Sequence, residues 1–207
     1  MTRDAASRHN AAIASPLGAV ARHKHLLPGA RVNAVCPETV TLQIPSYLHA
    51  HYWWAYIHPR AVTLFEETLP LTRELGGQAL CALSLIYLGH SASRREDAIV
   101  AATHYQEALR ICHDTGDTYL LPYALEGWGW ATRDYGEGER TAQLYGAAAA
   151  LRAAIHYVPA PHETTDRERK IEALRETLGA AAFARAWAVG ERIPLEQAVA
   201  NALSEGE

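Results

Sequence analysis

The feature that most constrains this chain is a repeat of 40 residues between Ala61 and Arg152. Residues of similar type recur at this interval, as in the pairs Phe65 and Tyr105, Glu67 and Glu107, Leu69 and Leu109, Gly76 and Gly116, and Tyr105 and Tyr145. Leu88-Gly89 is matched by Trp128-Gly129 at the same spacing. A fixed period of this size is typical of solenoids built from stacked helix pairs. We therefore predict an all-α solenoid of antiparallel helix hairpins.

The pattern within each period resembles tetratricopeptide repeats, which place a large residue and a Gly on the first helix and Ala and an aromatic residue on the second. The fitting positions are Leu88-Gly89, Ala98 and Tyr105, then Trp128-Gly129, Ala142 and Tyr145. The period exceeds the usual ~34 residues, as in the longer-helix variant found in bacterial regulators. The resemblance implies a tetratricopeptide-like helical-repeat fold.

Apolar periodicity and breaking residues predict the helices of this region. The expected ranges are Ala61–Leu75, Gln78–His90, Asp97–Asp114, Thr118–Tyr135 and Gly138–Tyr157. Pro70 lies inside the first range, where it removes one backbone hydrogen bond, so we expect a kink or a restart there. The helical repeats are assigned to residues 61–157.

Residues 1–43 are predicted to be a poorly ordered and largely irregular N-terminal arm. Pro16, Gly18, Pro28 and Gly29 interrupt it, which disfavours regular structure. Within the arm, Arg31–Ile44 has a strand-like pattern because apolar residues alternate with threonines near its end. An isolated strand or hairpin is marginally stable.

Residues 44–60 carry an aromatic cluster made of Tyr47, Tyr52, Trp53, Trp54 and Tyr56. Ile44–Glu66 resembles the N-terminal leader of rhodoquinone-biosynthesis methyltransferases, without the cofactor-binding domain that follows in that family. The resemblance implies an alternative function, a remnant or fusion of an S-adenosylmethionine-dependent quinone methyltransferase. A helix that caps the first repeat is favoured over a membrane or partner contact through Trp53 and Trp54.

Residues 158–207 are predicted to form C-terminal capping helices. Pro159–His162 is expected to be a rigid break, with Thr165 or Asp166 capping a helix that ends near Leu178. The charged residues of this helix indicate a solvated face; they are Glu163, Asp166, Arg167, Glu168, Arg169, Glu172, Arg175 and Glu176. A short helix over Ala180–Gly190 should pack Phe183 and Trp187 on the last hairpin, and Pro194 should begin a final helix.

The segment Glu139–Arg152 resembles the last repeat of bacterial LuxR-type and related ATP-dependent transcriptional regulators. Leu178–Leu203 resembles their closing segment, so the resemblance extends over Ala61–Leu203. It implies a sensor or docking arm. The ATPase module of that family needs Gly-Lys-Ser or Gly-Lys-Thr, and neither Lys24 nor Lys170 follows a Gly. A helix-turn-helix motif for DNA is not found either.

Net charge is −4 and the isoelectric point is near 6.3, which disfavours direct nucleic-acid binding. The sequence lacks a signal peptide and an apolar run long enough for a membrane span, so we predict a cytoplasmic protein. Three cysteines with no paired spacing (Cys36, Cys81 and Cys112) fit a reducing compartment.

No catalytic residues, cofactor or metal site are predicted. Cys112, His113 and Asp114 adjoin in sequence, but consecutive helical residues do not face each other. His-x-His pairs near the N-terminus lack the further ligands of a zinc site. A partner-binding face is predicted on one helix from Tyr123, Glu126, Trp130 and Arg133. The alternative is that Tyr123 and Trp130 pack between repeats. The sequence thus predicts a non-catalytic helical-repeat module that binds a protein or peptide.

Overall fold

The computed structural model describes residues 31–36, 39–43, 59–133, 136–157 and 161–204. Contacts divide the chain into two units, with the boundary between Gly77 and Gln78. From residue 59 onward all regular structure among the described residues is helical, which confirms the all-α class for that part. A two-stranded sheet precedes it.

The first unit contains an antiparallel β-hairpin, formed by β1 (Arg31–Cys36) and β2 (Thr39–Gln43). Val32 pairs with Leu42 and Ala34 with Val40, and the register shifts between Ala34 and Cys36. The strand-like pattern predicted near these residues is confirmed. The all-α description therefore does not extend to the N-terminal arm.

The first unit also contains α1 (Pro59–Glu74). This helix continues through Pro70 without restarting. It ends at Glu74, and Gly76 follows in a left-handed turn with φ of 68°, which suits glycine; the amide of Gly77 donates to the carbonyl of Thr72 at 2.8 Å. The predicted Gly-Gly stop is confirmed. The aromatic cluster of residues 47–56 and the expected capping helix lie outside the described residues.

The second unit begins with four helices: α2 (Gln78–Arg94), α3 (Ala98–Thr115), α4 (Leu121–Thr132) and α5 (Gly138–Ala154). Each corresponds to a predicted helix. α2 is about one turn longer than predicted, and α4 is shorter at both ends. Helix ends are less certain than helix centres because local signals compete there.

Successive helices of this set pack against each other, α2 on α3, α3 on α4 and α4 on α5. α4 and α5 are antiparallel: Thr141 near the start of α5 donates to Gly129 near the end of α4, and Arg152 near the end of α5 meets Glu126. Gly89 and Gly127 lie against the ring of Tyr105, where an added methyl group would overlap the ring. Small residues therefore set how closely α2 and α4 approach α3.

The turns between these helices are defined by local side-chain and backbone signals. Asp97 caps α3 by accepting from the amide of Val100 at 3.2 Å. Gly116 ends α3 with φ 67°. Asp117 then accepts from the amides of Tyr119 and Leu120 and turns the chain into α4.

Three further helices complete the unit: α6 (Pro161–Leu178), α7 (Ala180–Gly190) and α8 (Leu195–Leu203). The break predicted over Pro159–His162 is wrong at its second half, because the helix already begins at Pro161. Proline suits the first position of a helix, since its fixed φ is helical and its missing N–H is not needed there. α7 matches its predicted range, and α8 begins directly after Pro194, where the start of a final helix is predicted.

α7 packs closely on α5 because both carry a glycine at the contact. A methyl group at Gly146 would overlap the backbone carbonyl oxygen of Trp187, and one at Gly190 would overlap that of Gln143. The core beside this crossing contains Ala142, Tyr145, Leu174, Phe183 and Ala186. The predicted packing of Phe183 on the last hairpin is confirmed.

Candidate functional site

The four residues predicted to bind a partner lie on α4 or directly after it, on one face. Glu126 is 8% exposed, and Tyr123, Trp130 and Arg133 are partly buried. The structure therefore brings the predicted set together. It also shows that much of this face is covered by other parts of the same chain.

Glu126 is the acceptor for two arginines from different helices. Arg152 of α5 donates to it through both terminal nitrogens, at 2.5 and 2.8 Å. Arg167 of α6 donates through Nε at 2.7 Å. A carboxylate that accepts a bidentate guanidinium forms one of the strongest side-chain pairs. Glu126 thus joins α4, α5 and α6.

The ion pair stabilises the charge on Arg152. Burial disfavours its guanidinium charge, but the neighbouring carboxylate of Glu126 outweighs this and raises the pKa of Arg152 above its ordinary value. The Nε of Arg152 finds no acceptor among the described residues. Loss of Glu126 would therefore leave a buried charge with little compensation.

A tyrosine cluster, defined by Tyr119, Tyr123 and Tyr157, lies beside this ion pair. The hydroxyls of Tyr123 and Tyr157 are hydrogen-bonded at 2.6 Å, and Tyr119 meets Tyr157 edge to face at 5.1 Å between ring centroids. The guanidinium of Arg152 lies 5.1 Å from the ring centre of Tyr123. Tyr119 is 40% exposed, so this cluster presents an aromatic ring to solvent.

Trp130 contacts two cations and the core. The guanidinium carbon of Arg133 is 4.1 Å from its ring centre, and the amine of Lys170 is 5.5 Å away. The indole also packs against the core cluster around Tyr145. Cations over an indole face are attracted by its negative quadrupole. Trp130 therefore packs in the core, as the alternative interpretation of its role predicts, and also contacts two cations.

Two residues of α6, Arg167 and Lys170, were not expected at this site. The sequence interpretation placed Arg167 on a solvated face, which is wrong: Arg167 meets Glu126, and its guanidinium is 5.9 Å from the ring of Trp187. Arg169, Glu172 and Arg175 do lie at the surface. The spacing of Arg167, Ile171, Leu174 and Leu178 places them on one helical face. That spacing is the signal from which the inward face could have been predicted.

Asp166 and Lys170 form an ion pair at 2.9 Å on the same helix. Burial favours the neutral acid at Asp166, but Lys170 and a hydrogen bond from Arg169 outweigh it and lower the pKa to about 2. Asp166 is therefore charged at neutral pH. The charges of Asp166 and Lys170 both act on His90.

His90 of α2 and Tyr105 of α3 share a hydrogen bond of 2.6 Å between the ring Nδ1 and the hydroxyl. Burial and the positive charge of Lys170 lower the pKa of His90 to about 3, and the negative charge of Asp166 opposes this only in part. His90 is thus neutral in the folded chain at neutral pH. Burial also raises the pKa of the nearby core residue Tyr145 well above its ordinary value.

The residues considered for catalysis do not converge. Cys112 is 1% exposed, and burial with the nearby Asp117 raises the pKa of its thiol to about 12. His113 pairs with Asp114 at the surface, at 3.2 Å. A buried thiol with a raised pKa is a poor nucleophile. Cys112 therefore acts as a core residue.

The described part of the chain offers neither a metal site nor a membrane span. It holds no group of three or more His, Cys, Asp or Glu side chains that could bind a metal ion. The helices there are too short or too polar to cross a membrane. The His-x-His pairs and the Trp53–Trp54 pair lie outside the described residues.

No protein-family model matches the sequence, and no curated protein or solved structure is significantly similar to it. The resemblances to regulators and to methyltransferases therefore stay predictions.

Proposed function

We propose that this chain is a non-catalytic, tetratricopeptide-like module that binds a protein partner, as the C-terminal region of bacterial LuxR-type regulators is expected to do. The observation that carries the proposal is the equivalence of positions 40 residues apart. Tyr105 and Tyr145 are each 1% exposed, and Ala108 and Ala148 are each fully buried. Leu88 and Trp128 are also both buried.

The equivalence extends to the helix contacts. Gly89 lies against Tyr105 of the following helix, and Gly129 lies against Leu144 and Thr141 of the following helix. The pairs α2–α3 and α4–α5 thus use a glycine at the same repeat position for close approach. Stacked helix pairs of this kind present an extended binding surface formed by successive units.

The proposed binding surface is the face of α4 that carries Tyr123, Glu126, Trp130 and Arg133, here termed the α4 face, together with the tyrosine cluster. Its centre holds Glu126 and Trp130, and its edge holds the exposed ring of Tyr119. Aromatic rings surrounded by partly desolvated charges are typical of the residues that dominate protein interfaces. The surface suits a helical peptide that contributes cations and aliphatic side chains.

Site-specific photocrosslinking tests this proposal. A benzoylphenylalanine is introduced in place of Tyr119, and the full chain is irradiated in extract of its source cells. We expect one protein to be captured at position 119 with a yield at least about tenfold above that of the control position, since contact energies of a few kcal/mol separate specific from random neighbours. Mass spectrometry identifies and quantifies the product.

The matched control carries the same crosslinker in place of Ile99, which is 72% exposed on α3. Equal yields of the same proteins at both positions, or no product at position 119, would overturn the proposal. The captured protein is then purified and its affinity measured against Tyr119→Ser, which should weaken binding.

A further inference from the structure

The α4 face is already occupied by a segment of the same chain. Arg167 donates to Glu126, and the amine of Lys170 lies over the ring of Trp130. Both cations belong to α6 and contact residues predicted to bind a partner. The segment that covers the surface therefore has the chemistry expected of a ligand for it.

The two halves of α6 are held differently. Its second half is apolar on the inner side, where Leu174 is 3% exposed and Ile171 and Leu178 pack on the core. Its first half is held by one ion pair, Arg167 with Glu126, and by the contacts of Arg167 with Trp187 and of Lys170 with Trp130; the side chain of Arg167 is 24% exposed. Salt screens ion pairs at partly exposed sites and weakens them. A cation on another helix can form the same ion pair with Glu126 in place of Arg167.

The helices that follow α6 share a core with it through Leu174 and Phe183, and they also have contacts that do not involve it. α7 packs on α5 through Gly146 and Gly190, and α8 packs on α3, α4 and α5. Gly179, with φ 76°, separates α6 from α7. The contacts of α7 and α8 with α3, α4 and α5 can therefore hold these helices in place when another helix takes the position of α6 and fills the core in place of Ile171 and Leu174.

We propose that α6 is an internal competitor of the partner and that a partner helix of the same pattern displaces it. The pattern is two cations three residues apart, as Arg167 and Lys170, followed by aliphatic residues in the positions of Ile171 and Leu174. This inference rests on the proposed function, because it names the chemistry of the partner at the same surface. The apparent affinity for the partner then equals the intrinsic affinity multiplied by the fraction of chains in which α6 has left the α4 face.

A labelled peptide of the sequence 161–179 tests the competition on the full chain. Arg167→Glu places a carboxylate beside Glu126 and should release α6. We expect the amides of residues 164–178 to exchange hydrogen at least about tenfold faster in this variant, and the peptide to bind at least about tenfold more tightly than to the unchanged chain. Mass-resolved hydrogen exchange and fluorescence anisotropy measure the two effects.

The matched control is Arg169→Glu, which makes the same charge change on the surface side of α6, where the side chain is 68% exposed. Equal exchange rates and equal peptide affinities in the two variants would overturn the proposal. A peptide carrying Glu in place of Arg167 should lose the added affinity, and equal binding of both peptides would also overturn it.

A second measurement keeps the test decisive if Arg167→Glu fails to fold. In the unchanged chain, raising the salt concentration from about 50 to about 500 mM should accelerate exchange in residues 164–170 and leave α5 unchanged, because salt screens the Arg167–Glu126 ion pair from its partly exposed side. No acceleration would overturn the proposal. The peptide test needs no cellular partner, so its failure leaves the crosslinking result standing, and the reverse also holds.

Discussion

Glu126 and Arg152 form the buried charge pair on which the second unit depends. Both side chains keep about a tenth of their exposure. Removing each charge from water costs several kcal/mol of free energy. The bidentate hydrogen bonds between the two side chains and the further hydrogen bond from Arg167 offset this cost. The pair is therefore expected to be sensitive to loss of one partner and tolerant of loss of both.

Replacing Glu126 by Gln removes the negative charge and leaves Arg152 buried with a neutral neighbour. We expect the free energy of unfolding to fall by about 3–5 kcal/mol. Urea denaturation followed by circular dichroism measures the change.

The control for this substitution is Glu172→Gln, which removes one partner of an ion pair at the surface. Its cost should stay below about 1 kcal/mol. Glu126→Met combined with Arg152→Met should recover most of the loss. If Glu126→Gln lowers the free energy of unfolding by no more than Glu172→Gln does, the ion pair of Glu126 with Arg152 does not stabilise the fold.

At the scale of elements, the start of α3 depends on one side chain. Asp97 satisfies an amide of the first turn, that of Val100, which has no partner within the helix. This cap follows the short turn between α2 and α3. It thus contributes to where the second helix of that pair begins.

Asp97→Ala removes the acceptor, and we expect the free energy of unfolding to fall by about 1 kcal/mol. Hydrogen exchange at residues 98–100 should become faster, while the end of α3 stays unchanged. Asp97→Asn keeps a capping oxygen and should stay within a few tenths of a kcal/mol. A loss as large in the Asn variant as in the Ala variant would contradict the capping role.

Most helix ranges of the second unit could be predicted because their signals are local. Gly116 and Asp117 end α3 and turn the chain, and the range of α7 follows from its apolar spacing. The start of α6 was predicted wrongly because proline is both a breaker and a good first residue of a helix. Only the contacts of the helix decide which of these roles it takes.

At the scale of the whole molecule, acid stability should depend on His90. The ring is neutral in the folded chain because its pKa is lowered to about 3. An unfolded chain binds a proton there below pH ~6.5. The contribution of His90 to the free energy of unfolding is therefore complete above pH ~6.5 and is lost progressively as the pH falls towards 3.

Between pH 8 and pH 5, His90 should account for up to about 2 kcal/mol of lost stability. His90→Gln, which keeps a hydrogen-bonding side chain for Tyr105, should remove this part of the pH dependence. Urea denaturation at each pH measures the difference between the two chains. His113→Gln, at an exposed histidine, serves as the control and should retain the slope. If the free energy of unfolding of the His90→Gln variant changes with pH as it does in the unchanged chain, His90 is not the source of this pH dependence.

Local sequence signals were sufficient to predict the helices and the shared face of Tyr123, Glu126 and Trp130, since periodicity and breaking residues act over a few positions. What covers that face was settled by the tertiary structure alone. Arg152 and Arg167 are 26 and 41 residues from Glu126. The environment of a charge depends on groups within a few ångströms in space, and chain spacing does not specify those groups. For this reason the sequence predicts Arg167 at the surface, whereas the fold places it at the centre of the candidate site.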